Sequence, residues 1–204
     1  MLGLSLMMDS ESTELSASYS HDEALKRLEV IENQELDSPQ GKLTAEVYRE
    51  FLALYLLNKD VINAKFLWQR IPFDIKNGDA ELQAVWTVGK SAWKHDYAGV
   101  HAGVNAYEWS GTVKRIMHQY KVDVQEHCLN LVAGGYTSIK LQYMANILGL
   151  SDADTIEAIQ RRGWSYLMET NMIKPVKNKK EINYSFNNEE HLERLTQHIL
   201  FLET

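Results

Sequence analysis

The stretch His95–Ser110, "HDYAGVHAGVNAYEWS", decides how the whole chain reads. Two histidines, an aspartate, a glutamate, two tyrosines and a tryptophan fall within it, residue types that suit acid/base or metal chemistry as well as they suit a packed wall. Its relation to an earlier segment favours the wall. Asp60 stands 36 residues before Asp96 and opens a helical pattern of Val61, Ala64, Trp68 and Ile71; Asp96 opens one of Tyr97, Val100, Val104 and Tyr107 at the matching positions. Each aspartate is placed to accept a hydrogen bond from the first turn of its helix, and the offset is that of a weak helical-hairpin repeat. His101 falls opposite Lys65, so His95 and His101 are expected at the edge of the apolar face, where a solvated charge is tolerated. Gly99 and Gly103 each cost about 1 kcal/mol against alanine inside a helix, which predicts a neighbouring helix in close approach.

Working upstream, Leu82, Val85, Trp86, Gly89 and Trp93 share one helical face that leads into Asp96. Pro72 stops the helix before it. A helix from near Thr44 carries Val47, Phe51, Leu54 and Tyr55 on one stripe, with Tyr48, Leu52 and Leu56 on its flank, and apolar residues on two sides predict a helix sandwiched between neighbours. Ser20 and Glu23 form a capping-box pattern that starts a further helix carrying Leu25, Leu28 and Ile31 and ending near Leu36. Residues 1–18 read as a flexible tail, because their apolar run lacks a basic flank and a small-residue cleavage site.

Downstream, Ser110 is expected to cap a helix with Val113, Ile116, Met117 and Tyr120, bending before Leu129 and Val132. After "AGGYTS" the pattern shortens: Leu141, Met144, Ala145 and Leu148 on one helix, Gly149 at its exit, a capping box at Ser151 and Asp154, and Ile156 and Ile159 on the next. Two brief strands around Glu169, Thr170 and Asn171 complete a helix, turn, helix, hairpin order, which is that of a winged helix. A basic, polar linker then precedes Leu192, Leu195, Ile199 and Leu202, whose 3, 4, 3 spacing makes a coiled-coil-like seam. The expected organisation is a tail (1–18), helical-hairpin repeats (19–134), a winged helix (135–176), a linker (177–187) and a C-terminal assembly helix (188–204). The fold class is mostly α.

Composition narrows the functions. The net charge of -7 opposes phosphate backbones and anionic lipid as default partners, no run approaches the length of a membrane span, and the lone Cys128 fits a reducing compartment, cytoplasm or nucleus. Tempting chemistry fails on spacing. "GKS" at Gly89–Ser91 lacks the first glycine and preceding strand of a phosphate loop, and His127 points about 100° away from the adjacent Cys128 on a helix. The histidines do not pair at three or four residues. No catalytic residue, metal site or cofactor is expected. A winged-helix nucleic-acid binder is a possible alternative, but the second helix, "SDADTIEAIQRR", carries three acids against two arginines.

A helical stack capped by a winged helix and followed by a seam helix resembles the PCI domain, an assembly module of the proteasome lid, the COP-nine signalosome and translation initiation factor three. The stretches "ENQEL", "FLALYLLNKDVINAKFLWQRIP", "VWTVGKSAWKHDYAGVHAGVNAYEWS", "AGGYTSI" and "LERLTQHILFLE" are similar to the signalosome's subunit-eight family, from about Glu32 onward. The resemblance implies a non-catalytic scaffold, cytoplasmic and nuclear, in the complex that removes Nedd8 from cullins. A subunit of the proteasome lid or of initiation factor three is the alternative within the same module. The resemblance further implies two partner-binding regions. One is the wing, Tyr166, Leu167, Met168, Met172, Ile173 and Lys174, which would pair edge to edge with another subunit, subunit three above all. The other is Leu192, Leu195, Ile199 and Leu202, which would join a helical bundle.

Overall fold

The computed structural model describes residues 19–38 and 42–176, together with 192, 193 and 196. Ser20 starts α1 (His21–Asp37) as a capping box: its hydroxyl accepts from the Asp22 N–H, and the Glu23 carboxylate accepts from the Ser20 N–H. Ala24 and Ile31 are buried with Leu28 packed beside them, whereas Leu25, expected on this face, is exposed. The buried stripe is narrower than the apolar pattern because α1 lies at the outside of the stack and packs mainly on α2 (Ala45–Leu57), touching its other neighbours through polar side chains near its ends, Glu35 with Arg70 at 2.8 Å and His21 with Asp123 at 3.0 Å.

Helix α2 is the centre of the stack. Every residue from Phe51 to Leu57 is buried, because α2 packs against α1, α3 (Val61–Arg70), α5 (Ala80–Trp93) and α7 (Gly111–Gly135) at once. From Phe51 onward the helix has no solvent face, as its doubled apolar stripe requires. The Phe51 and Tyr55 rings stack within it at 4.8 Å.

The repeat is present in the backbone itself. The turn from α2 to α3 holds Lys59 at φ +61°, and the turn from α5 to α6 (Tyr97–Ala106) holds His95 at φ +56°, the same position 36 residues on. In each, the aspartate N–H returns to a carbonyl five residues back, Asp60 to Tyr55 at 3.0 Å and Asp96 to Ser91 at 2.9 Å. Each carboxylate then accepts from the first turn of the next helix, Asp60 from Asn63 and Asp96 from Gly99, both at 3.0 Å. Between the hairpins, Pro72 leads into the short α4 (Phe73–Gly78), and Trp68 stacks on Trp86 at 5.1 Å to tie α3 to α5. Trp93, expected on the buried face of α5, stands half in solvent in its last turn, with the Lys65 ammonium 4.4 Å above its ring.

Gly103 packs as expected: an added Cβ would lie 2.9 Å from Val88 of α5. At Gly99 the crowding comes from the Asp96 carboxylate that caps its own helix. Helix α7 runs without a break for 25 residues, through the point where a bend is expected, with buried residues recurring from Val113 through Val124, Cys128 and Val132 and no proline to interrupt them.

The chain then forms β1 (Ile139–Lys140), α8 (Leu141–Leu148), α9 (Asp152–Arg161), β2 (Ser165–Leu167) and β3 (Met172–Lys174). The antiparallel sheet has the order β1-β3-β2, with Ile173 opposite Ile139 on one side and Tyr166 on the other. This is the expected winged helix, closed by a third strand too short to show a period. Gly149 ends α8 at φ +61°, and the Ser151 hydroxyl accepts from the Asp154 N–H. The reciprocal half of that box differs: the Asp154 carboxylate takes the Ser151 hydroxyl at 2.8 Å.

Candidate interaction surfaces

The wing presents its residues unequally. Because β3 is the middle strand, its backbone is paired on both sides, and Ile173 is fully buried in the common core. Met172, Ile173 and Lys174 therefore lie on the middle strand, and the edge next to the hairpin belongs to β2. There Tyr166 is half-buried with its hydroxyl on the Asn171 side chain, Leu167 is partly exposed, and Met168 at the turn is 83% exposed. Asn171 adopts φ +56°, which closes the turn tightly. Among the described residues, β2 therefore leaves one strand edge unpaired beside an exposed methionine.

Of the seam helix, Leu192 is helical and 63% exposed, and its carbonyl accepts from the Thr196 hydroxyl at 2.8 Å. Leu195, Ile199 and Leu202 lie outside the described residues, as does the linker 177–187.

The opening segment is a wall, with one correction. His101, expected at a solvated edge, is 1% exposed. Alignment with Lys65 misplaces it because the second hairpin, unlike the first, is covered by the winged helix: α8 packs on α6, and Gly149 sits against the His101 side chain, where an added Cβ would come within 2.4 Å of the His101 Cβ. Burial, aided by the charge of Lys121, pushes the imidazole down to about 4, and the nearby Ile147 backbone offsets only part of this. Neither ring nitrogen reaches a hydrogen-bonding partner among the described residues. The ring is therefore neutral at pH 7 and packs as an apolar body. Cys128 is buried and its thiol is pushed up to about 11, which leaves it protonated and inert. Gly89 of the "GKS" run lies inside α5 against Trp86 and Leu56, far from any phosphate-loop geometry.

Sequence reasoning missed the principal polar cluster. Arg49 of α2 reaches the N-terminal end of α5, where its guanidinium pairs with Glu81 and lies 3.0 Å from the Asp79 carboxylate. Asp79 caps α5 by accepting from the Leu82 N–H, and Glu81 accepts both the Ser110 N–H at 2.8 Å and the Ser110 hydroxyl at 2.7 Å. Ser110 thus begins α7 without the side-chain cap expected of it; its hydroxyl joins α7 to α5 instead. Burial raises the Glu81 pKa, but the Ser110 and Arg49 hydrogen bonds outweigh it and hold the carboxyl below its usual 4.5. The signal for this clamp was an acid at the N-cap and another in the first turn of one helix, which ordinarily reads as capping and a dipole effect.

The described residues contain no group of three or more metal-ligating side chains, and no helix among them is long and apolar enough to cross a membrane. Comparison with known proteins finds relatives over most of the chain. A profile of the CSN8/PSMD8/EIF3K family matches residues 42–183. The "COP9 signalosome complex subunit 8" of Xenopus laevis is 36% identical over 178 residues, covering 87% of this chain and 91% of the relative. The protein of the same name from Danio rerio is 36% identical over 178 residues, 87% of this chain and 93% of its own, and that from Arabidopsis thaliana is 29% identical over 160 residues, 76% and 79%. With more than half of its length matched, and the stack from α2 onward and the winged helix both within the match, the chain belongs to the CSN8/PSMD8/EIF3K family.

Proposed function

We propose that this chain is subunit eight of a COP-nine signalosome, a non-catalytic scaffold of the complex that removes Nedd8 from cullins and so regulates cullin-RING ubiquitin ligases. The observation that carries the reading is the likeness over most of the chain to relatives of that name, 87% of this chain and 91% of the Xenopus laevis protein at 36% identity. The fold supports it: a stack of helical hairpins sharing one core with a winged helix offers a rigid arm and an open sheet edge. Its second helix bears Asp152 and Asp154 in the first turn, which repel phosphate and disfavour a nucleic-acid role. On this reading the work of the chain is positional, without metal or cofactor, in cytoplasm and nucleus.

Two contacts follow. The β2 edge, with Tyr166, Leu167 and Met168, pairs with the winged helix of a neighbouring subunit, subunit three being the expected one, while Met172 and Lys174 flank it and Ile173 supports it from below. Leu192, Leu195, Ile199 and Leu202 enter a bundle with helices of other subunits, where a buried leucine or isoleucine contributes about 1.5–3 kcal/mol. Leu195→Asp with Ile199→Asp places two unpaired charges in that bundle. The double variant is expected to lose co-purification with the other subunits while its thermal midpoint stays within about 2 °C of wild type. Assembly at wild-type yield would assign the attachment to the wing alone; a collapsed midpoint would place the helix in the chain's own core.

A further inference from the structure

The line where α3 meets α5 carries an aromatic ladder with cations set into it. Trp86 and Trp93 stand seven residues apart on α5, which puts them about 10 Å apart along one face. Trp68 of α3 stacks on Trp86 at 5.1 Å, and the Lys65 ammonium of α3 lies 4.4 Å from the centre of the Trp93 ring. At the other end, the Lys76 ammonium lies 5.3 Å from the Trp68 ring and donates to the Gln69 carbonyl at 3.4 Å. Lys90 is exposed on α5, one turn after Trp86 and one turn before Trp93. Two lysines are thus held over ring faces at the two ends of the ladder, and a third stands between them.

The charge of this face is opposite to that of the molecule. Residues 59–94 hold five lysines, none of which forms an ion pair with a described residue, and Arg70, which pairs with Glu35. Of the four acids in the same stretch, Asp60 and Asp79 cap helices and Glu81 is buried in the Arg49 clamp. The fourth, Asp74, is exposed two residues before Lys76, and positions two apart on a helix do not share a face. On a chain of net charge -7, an acidic segment is repelled over most of the surface and attracted here. An ammonium held over an indole keeps its charge while losing rotamer freedom, so a carboxylate meets it already in position. Single-stranded nucleic acid would need ring faces free for its bases. Here Trp68 and Trp86 cover one another, and Lys76 and Lys65 lie over Trp68 and Trp93, an arrangement that favours carboxylates over stacked bases.

We propose that the α3–α5 face docks an extended acidic segment of a partner protein whose carboxylates are three residues apart. An extended segment of the polyproline II type rises about 3.1 Å per residue and returns to the same side every third residue, so such carboxylates lie about 9 Å apart on one side. That matches the length of the ladder. One carboxylate pairs with Lys65 and the other with Lys76, while Lys90 adds its charge between them. The assignment stands independently of the signalosome reading, because it uses only the placement and charge of the lysines.

Selection of random dodecapeptides displayed on phage against the full chain tests it, followed by fluorescence anisotropy with a fluorescein-labelled peptide of the enriched sequence. Enrichment of two acids three residues apart is expected. Lys65→Glu with Lys76→Glu should weaken that peptide at least tenfold, and Lys90→Glu, at an exposed position that leaves the melting curve in place, severalfold. Lys26→Glu with Lys114→Glu, at exposed positions on α1 and α7, should leave the affinity within twofold of wild type. Raising the salt from about 0.05 to about 0.5 M should weaken binding severalfold, since both partners' charges are solvated. The proposal is overturned if no such acid spacing emerges, if the peptide binds the Lys90 variant as it binds the wild type, or if the Lys26 and Lys114 changes weaken it equally. It is equally overturned if a twelve-nucleotide oligothymidine binds more tightly than the peptide and loses affinity in the same variants, which would make the face a nucleic-acid platform. Tenfold tighter peptide binding after removal of residues 1–18 would also overturn it, because the chain's own Asp9, Glu11 and Glu14 would then be the occupant.

Discussion

Replacing Glu81 by alanine removes the acceptor that joins three helices, and the cost can be worked from its contacts. The Glu81 carboxylate is almost wholly buried and receives the Arg49 guanidinium and both donors of Ser110. A hydrogen bond to a charged group contributes about 1.5–3 kcal/mol net, and breaking a buried ion pair by removing one partner costs about 3–5 kcal/mol. Two features reduce that figure: Arg49 keeps the Asp79 carboxylate at 3.0 Å, and Ser110 is open to water, which can satisfy its freed donors. The expected loss is about 2–4 kcal/mol, read as a shift in the urea midpoint followed by circular dichroism with the slope unchanged. In a chain of this size it corresponds to a fall in melting temperature of roughly 5–12 °C. Because the folded pKa of Glu81 is lowered, its contribution is present above pH 4.5 and is lost as pH falls through the lower folded value; Glu81→Ala should differ least from wild type at the acid end. A loss under about 0.5 kcal/mol at pH 7 would refute the clamp.

Gly149→Ala forces a Cβ into the left-handed region and to within 2.4 Å of the His101 Cβ, so backbone strain and overpacking together should destabilise the chain by about 2–4 kcal/mol in thermal or urea melts; a neutral outcome would mean that α8 does not dock on α6 as described. His101 is neutral when buried, with its pKa lowered from 6.5 to about 4, so it adds a stability loss as pH falls from about 6.5 toward 4, at most about 1.4 kcal/mol per pH unit; the His101→Leu variant should flatten that slope, and an unchanged slope would place the proton uptake elsewhere.

The helical stack was legible because its information is local. Asp60 and Asp96 announce two equivalent turns, and the structure repeats them down to the left-handed residues Lys59 and His95, which no pattern of apolar residues would reveal. Helix, turn, helix, hairpin was equally readable after Tyr136, since Gly149 and Ser151 punctuate it. What failed was tertiary. His101 is buried because α8 happens to cover the second hairpin, and Leu25 is exposed because nothing covers that side of α1 among the described residues; periodicity gives a helix its stripe but does not say which neighbour arrives. The middle position of β3, and with it the burial of Ile173, follows from the two-residue β1, which carries no period at all. The Arg49–Glu81–Ser110 clamp joins residues 32 and 29 positions apart, a pairing no single sequence encodes visibly.

Affinity purification of the tagged full chain from its native cell, with the co-purifying proteins quantified by mass spectrometry at physiological salt, tests the central claim most directly. The expected result is recovery of the other signalosome subunits in near-equal amounts, with the subunit proposed to pair with the β2 edge retained longest as salt is raised. Recovery of proteasome-lid or initiation-factor-three subunits in their place, which the same family also contains, would contradict it.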